Sequence, residues 1–232
     1  MPAANDKQRH TRARTQRVVK DPRRRAILEA KNAIEQFDLA LRMIESWNRG
    51  DVKFRLEPSH ILQLHKIALD GVDLFAGTFR NGPVRIGASK HVPPDAFLVS
   101  TLVGEMCDYV NKNAKRRPPL HLCAYVMWRL NWIHPFTDGN GRTTRAIAYV
   151  VLCATLGYRL PGHVTVPELI AANKDPYYSA LESADAAEKA SKIDVQKMES
   201  LLSDLLAKQL VDVHAQAASK KTVRAETKKR FH

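Results

Sequence analysis

Twelve consecutive residues, His134-Pro135-Phe136-Thr137-Asp138-Gly139-Asn140-Gly141-Arg142-Thr143-Thr144-Arg145, bring an imidazole, a carboxylate, two glycines and two guanidinium groups into one short segment. An imidazole titrates close to neutrality, so His134 could take the proton of an attacking hydroxyl. Gly139-Asn140-Gly141 stands just before a helical pattern. Glycines there tolerate positive φ and let main-chain N–H groups close around an anion, helped by the positive end of the helix. Arg142 and Arg145 are three residues apart and share one side of that helix, where each could grip phosphate oxygens bidentately. Asp138 adjoins this cradle as a carboxylate of the kind that holds Mg²⁺ against phosphates. A proton acceptor beside a phosphate cradle points to transfer of a phosphate-bearing group from a nucleotide. Taken singly, each residue has a structural explanation: a helix stop, a turn, a cap, a surface charge. Their joint occurrence carries the chemical reading.

The flanking elements must hold this segment in place. Leu120–Ile133 is apolar and helical, and Pro135 drives residue 134 out of the α region and ends that helix. Phe136 is expected to anchor the loop in the core. Helical pattern resumes at Asn140 or Arg142, runs through Leu156 and stops at Gly157. Upstream, Ile27, Ala30, Ile34, Phe37, Leu41 and Ile44 recur at three- and four-residue steps, which predicts a helix over Ala26–Trp47 with that stripe inward. A second helix follows Pro58, with Ser59 as its N-cap, and a third runs from Asp95 to about Asn113. Phe79–Gly87 is too rich in Gly and Pro for a helix and reads as a β-hairpin turning at Asn81-Gly82. Short helices are expected at 167–173 and 177–190, and a last one at 193–213. The fold class is all-α with one small hairpin.

The chain has 232 residues and a formal net charge of +13. Nine Lys/Arg against two Asp lie in residues 1–25, and six against one Glu in residues 220–232, so the middle is nearly neutral. We therefore expect a basic flexible arm at 1–25, a catalytic domain at 26–213 and a basic flexible tail at 214–232. Such ends could hold nucleic acid or an acidic partner through counterion release, or simply be solvated. Cys107, Cys123 and Cys153 match neither zinc nor disulfide spacing, and each sits in an apolar helical pattern that suits a buried thiol. No apolar run reaches membrane-spanning length and the start lacks a secretory h-region, so the expectation is a soluble, cytoplasmic protein with no membrane contact. Delivery to a host cell as a secreted effector stays open, as does oligomerisation.

At every defined position the twelve residues resemble the signature of the Fic family, HPFx(D/E)GNGRxxR. The likeness extends over roughly residues 25–210. Gly77–Gly87 through Pro94 is similar to the family's flap, and Tyr177–Asp185 to the segment bordering the nucleotide. The resemblance implies transfer of AMP from ATP to a protein hydroxyl with release of pyrophosphate. His134 would be the base, Asp138 the Mg²⁺ ligand, and Gly139, Asn140, Gly141 and Arg142 the phosphate cradle. Arg145 would hold the γ-phosphate, Tyr178 would pack near the adenine, and Phe79, Val84, Arg85 and Ile86 would pair with the target's main chain. Related Doc proteins that phosphorylate carry Lys at the second nest glycine; Gly141 stands here, which favours AMP transfer. Many relatives also carry an inhibitory (S/T)xxxE(G/N) helix. Residues 26–47 offer a degenerate version, in which Lys31 and Gln36 depart from the pattern and Glu35 would be the inhibitory carboxylate. Two other readings stay open: removal of AMP or transfer of another nucleotide or phosphocholine group, and a non-catalytic nucleic-acid-associated protein acting through its basic ends. The resemblance also leaves room for self-modification.

Overall fold

The computed structural model describes residues 11–12, 17–87, 89–162 and 164–230, with backbone alone at 11–12 and 216–230. Eight α-helices carry the described residues: α1 (Pro22–Asn48), α2 (Pro58–Ala68), α3 (Val99–Asn113), α4 (Pro119–Ile133), α5 (Asn140–Leu156), α6 (Val166–Ala172), α7 (Asp175–Glu188) and α8 (Gln196–Arg230). A single 3₁₀ turn, Ala96–Leu98, leads into α3. The starts and stops follow local chemistry. Asp21 accepts a hydrogen bond from the Arg24 N–H at 2.7 Å, with Pro22 at the first helical position of α1. α2 is capped by Glu57, not by Ser59: the Glu57 N–H donates to His60 Nδ1 at 3.0 Å and the helix starts two residues earlier than expected. Gly157 closes α5 at φ +80°, as a left-handed C-terminal residue must.

The core centres on α4 and α5. Leu122, Cys123, Ala124, Val126, Met127, Trp128 and Leu130 of α4 are buried, as are Ile147 through Cys153 of α5. A helix apolar on most sides needs neighbours on most sides. α1 and α2 cover α5, α3 and α8 cover α4, and α6 and α7 close the far end against α8. The three cysteines are free and buried as expected, and burial pushes the Cys107 thiol up to about 12. α8 continues to Arg230, so helical backbone runs through most of the stretch expected as a flexible tail. Of the expected arm, residues 1–10 and 13–16 lie outside the described residues.

Two further expectations are corrected. α1 forms, but its N-terminal half is rotated about its axis: Ile27 and Ile34 are 72% and 67% exposed and Asn32 and Gln36 are buried, whereas Ile44 is buried and Phe37 and Leu41 pack on the core as expected. Hydrogen bonding decides the face. Asn32 Nδ2 donates to the Asp70 carbonyl at 2.8 Å and Gln36 Nε2 to the Leu64 carbonyl at 3.0 Å, so both amides serve the C-terminal end of α2. The second correction concerns the hairpin. A tight turn at Asn81-Gly82 would need positive φ, and neither residue has it. The strands seen among the described residues are β1 (Thr11–Arg12) and β2 (Arg85–Ile86), antiparallel, with Thr11 opposite Ile86 and Arg12 opposite Arg85. The flap's partner therefore comes from far along the chain.

The rotation of α1 can be measured by urea unfolding. Asn32→Ala should lower stability by about 0.5–1.5 kcal/mol, since it removes a part-buried hydrogen bond to the Asp70 carbonyl. Ile34→Lys should change it by less than about 0.5 kcal/mol. The opposite ranking would put the Ile27/Ile34 face inward after all.

Candidate active site

The break between α4 and α5 holds the signature. His134 ends α4 in a left-handed conformation, φ +49° and ψ +61°, and is buried. Positive φ is uncommon in a residue with a Cβ and persists where the surroundings dictate it. Here the surroundings are Arg80. Its Nε donates to the His134 carbonyl at 2.9 Å and its Nη2 to the Ile133 carbonyl at 3.3 Å. Nη1 reaches the Gly82 carbonyl at 3.0 Å, Nη2 also bonds the Pro94 carbonyl, and the Arg80 N–H donates to the Pro135 carbonyl at 2.8 Å. One guanidinium thus satisfies the C-terminal carbonyls of α4 and stitches the flap to the signature. Burial lowers the Arg80 pKa and the charge of Asp95 opposes that shift.

Within the loop, Phe136 is fully buried, as expected, and stacks on His65 with ring centres 3.7 Å apart. Asn140 clasps the same residue: Phe136 N–H donates to Asn140 Oδ1 at 3.0 Å, and Asn140 Nδ2 donates to the Phe136 carbonyl at 2.8 Å. The Asn140 side-chain amide therefore shapes the loop. Gly139 sits at φ +73°, and a Cβ there would meet Leu69 Cδ2 at 2.9 Å, so this glycine is required twice over. Gly141 lies inside α5 without positive φ; its Cβ would press on Arg145 Nη1 at 3.2 Å. Only the first nest glycine is there for its conformation. The second is there for room.

A cavity of about 230 Å³ opens on this loop, lined by His134, Asp138, Gly139, Asn140, Gly141, Arg142 and Arg145 together with Ile86, Asn131, Lys174, Tyr177 and Tyr178. The structure thus brings every expected signature residue, Tyr178 and Ile86 to one cavity. The other flap residues divide: Phe79 packs on Phe136 at 5.8 Å between ring centres, Val84 is buried, and Arg85 is exposed. The first N–H groups of α5 have no preceding helical carbonyl, because the first turn closes at Thr143 N–H to Gly139 O, 3.0 Å. His134 Nδ1 lies 3.3 Å from the Asn131 carbonyl, a contact that places the proton on Nδ1 and leaves Nε2 the basic nitrogen.

The charges in the cavity are unevenly matched. Asp138 Oδ1 accepts the Gly139 N–H at 2.6 Å, and its Oδ2 pairs with Arg25 Nη2 of α1 at 3.0 Å. Arg25 also holds Glu29 at 3.1 Å, and Glu29 reaches Arg142 Nη1 at 3.5 Å. Among the described residues no carboxylate lies within ion-pair distance of Arg145. Burial lowers its pKa, Tyr177 and Tyr178 oppose the shift, and Arg142 adds to it. Glu35 is not brought to the cavity. It is exposed and pairs with Lys31 at 3.5 Å, because the face of α1 that turns toward α5 near the signature carries Arg25 and Glu29.

Sequence reasoning missed Arg25, Glu29, His65, Arg80, Asn131 and Lys174. Only Arg80 left a trace, as part of the stretch resembling the flap. His65 is the least expected. Its Nδ1 accepts the Gly77 N–H at 3.0 Å, so its proton sits on Nε2, which donates to the Asp138 carbonyl at 3.1 Å. Desolvation lowers its pKa to about 4, against the hydrogen bond to Asp138.

A model of the Fic/DOC family matches residues 55–152, which span α2, the flap, α3, α4 and the signature through most of α5. This chain carries a Fic/DOC family domain. Relatives named "Protein adenylyltransferase Fic" from Drosophila persimilis and Aedes aegypti are 34% and 33% identical over 128 and 129 residues, 54% of this chain in each case. Those stretches are 24% and 25% of the relatives, so the chain matches about a quarter of their length. Among solved structures, Fic-1 (residues 134–508) from C. elegans superposes with a TM-score of 0.63 at 22% identity, over 83% of this chain and 53% of that one. A Fic-domain protein from Bacteroides thetaiotaomicron gives 0.61 at 21% identity, over 78% and 70%. BepC from Bartonella tribocorum, solved with bound AMPPNP, gives 0.56 at 14% identity, over 81% and 88%. These likenesses bear on the helical fold of the Fic domain.

The His65 geometry makes a pH prediction. Unfolded His65 binds a proton near pH 6.5, whereas the folded Fic domain resists protonation there until about 4. A depressed folded pKa gives stability that is complete above pH 6.5 and declines as pH falls toward 4, by roughly 3 kcal/mol at most. Denaturant titrations from pH 7.5 to 4 should show this slope, and His65→Gln should flatten it. An unchanged slope in His65→Gln assigns the acid sensitivity to another group.

Proposed function

We propose that this chain is an adenylyltransferase that moves AMP from ATP to a Ser, Thr or Tyr hydroxyl of a protein and releases pyrophosphate. One observation carries the reading furthest. Arg145, a largely desolvated cation lining the cavity, has no carboxylate within ion-pair distance among the described residues, and the charge of a second arginine, Arg142, acts against it. Such a group calls for an anion from outside, and a polyphosphate chain satisfies it best. Arg142, the first N–H groups of α5 and the helix end make the rest of the cradle. The names of the curated relatives and the AMPPNP in BepC point to ATP as the donor.

His134 Nε2 would take the proton of the incoming hydroxyl as that oxygen attacks the α-phosphorus. The first-turn N–H groups of α5, with Arg142 and Arg145, would bear the charge that builds on the phosphates. Asp138 suits Mg²⁺, which uses one or two carboxylates and the phosphates themselves, and supplies charge neutralisation when bound. That fits a cavity where the described residues show no cluster of three metal-binding side chains. Gly141 supports AMP transfer over phosphoryl transfer, since a side chain there would push against Arg145.

Regulation by α1 follows a different residue from the one expected. The Arg25 guanidinium sits on the Asp138 carboxylate where a metal cation would bind, and Glu29 sits near Arg142 where a phosphate would. α1 therefore competes with the nucleotide through both signs of charge.

Intact-mass spectrometry after incubation with ATP and Mg²⁺ tests the reading. Wild type should gain mass in units of AMP, His134→Ala should gain none, and Arg25→Ala should gain it several-fold faster than wild type. Labelling that survives loss of His134 removes it as the base. Unaltered labelling in Arg25→Ala removes the restraint by α1 and keeps the transfer.

A further inference from the structure

The edge of β2 already has an occupant. β1, from the chain's own basic N-terminal arm, pairs antiparallel with β2, and the register places Thr11 opposite Ile86. Ile86 lines the cavity that contains His134, whereas its neighbour Arg85 is exposed. Residues directly opposite one another in an antiparallel ladder belong to the same face of it. Position 11 is thus on the cavity face of the ladder, and position 12 on the outer face. The residue at position 11 carries a hydroxyl.

A second attachment holds the arm to the same side of the domain. Arg17 forms an antiparallel bridge with Asp73, and the Val18 N–H donates to the Val72 carbonyl at 3.0 Å. The chain then enters α1, where Arg25 meets Asp138. From Thr11 to Arg25 the polypeptide is fastened at the flap, at residues 72–73 and at the signature.

We propose that the arm is a substrate strand docked in cis and that Thr11 is an acceptor of AMP. This rests on the adenylyltransferase reading and adds an acceptor site to it. The Thr11 hydroxyl oxygen forms a bond to the α-phosphorus of ATP, and the bond from that phosphorus to the bridging oxygen of the leaving group breaks. Pyrophosphate departs, and the hydroxyl proton passes to His134 Nε2. A protein target that pairs with β2 must displace β1, so the arm is both the first substrate and the competitor of every later one.

The test uses the full chain with two readouts. Without nucleotide, whichever amide of Arg85 and Ile86 donates into the ladder should exchange slowly in wild type and at least about tenfold faster in a Thr11→Pro/Arg12→Pro variant, whose prolines break the ladder. With ATP and Mg²⁺, peptide fragmentation should place AMP on Thr11, with a rate per molecule independent of protein concentration. Thr11→Ala should abolish that label, Thr11→Ser should keep it, and Thr15→Ala should leave it unchanged. AMP mapped only to other residues, with its formation still dependent on His134, overturns Thr11 as acceptor and leaves the transferase reading standing. Fast exchange at both Arg85 and Ile86 in wild type overturns the docked strand. Absence of AMP from every residue overturns both this inference and the reading it rests on.

Discussion

Arg80 gathers four backbone carbonyls with one buried guanidinium, two from the end of α4 and two from the segment between Gly82 and Pro94. A helix that stops in the protein interior leaves its last carbonyls without partners, and a buried unpaired carbonyl costs about 1–3 kcal/mol. The cation removes that cost and complements the negative end of the helix. With its carbonyls held, the chain can take a left-handed turn at His134, put Phe136 into the core against His65, and start α5 afresh at Asn140. The cradle we propose for phosphate is the N-terminus of that second helix. It stands beside His134 because Arg80 makes the break stable.

The same break gathers charge. Asp138, Arg142 and Arg145 project from one loop and the turn that follows, and α1 supplies Arg25 and Glu29 from across the cavity. Four of these five groups offset one another, and Arg145 is the remainder. A charge left over inside a packed domain is weak support for stability and good support for a ligand of opposite sign. The described residues include no helix long and apolar enough to cross a membrane.

Much of this was legible in the residues, and the failures share a cause. The helices followed from periodicity and punctuation, and α4, α5, α6 and α7 came within two residues of their observed bounds. The Fic domain followed from the signature. What could not be read was any feature set by a partner distant in sequence. The first half of α1 turned Ile27 and Ile34 outward because Asn32 and Gln36 find carbonyls on α2 and its C-terminal turn, and apolar counting gives no weight to such bonds. Asn81-Gly82 suggested a local hairpin, but β2 pairs with a strand more than seventy residues upstream. Arg25 and Glu29 looked like ordinary charges on a basic arm and an exposed helix face. The hold of the Asn140 side-chain amide on Phe136 was not legible either, since the motif shows which residues occur together and not what each amide bonds.

The central claim is that the hold of Arg80 on the break shapes the cradle. Replacing it by lysine keeps the positive charge and removes the planar fork that reaches several carbonyls at once. Calorimetric titration of ATP with Mg²⁺ into wild type and Arg80→Lys, each checked for retained helix by circular dichroism, is the most direct measurement. The account predicts binding by wild type and at least about tenfold weaker binding by the lysine variant, a loss of about 1.4 kcal/mol. Equal affinity in the two proteins, with the helices intact in both, would contradict it.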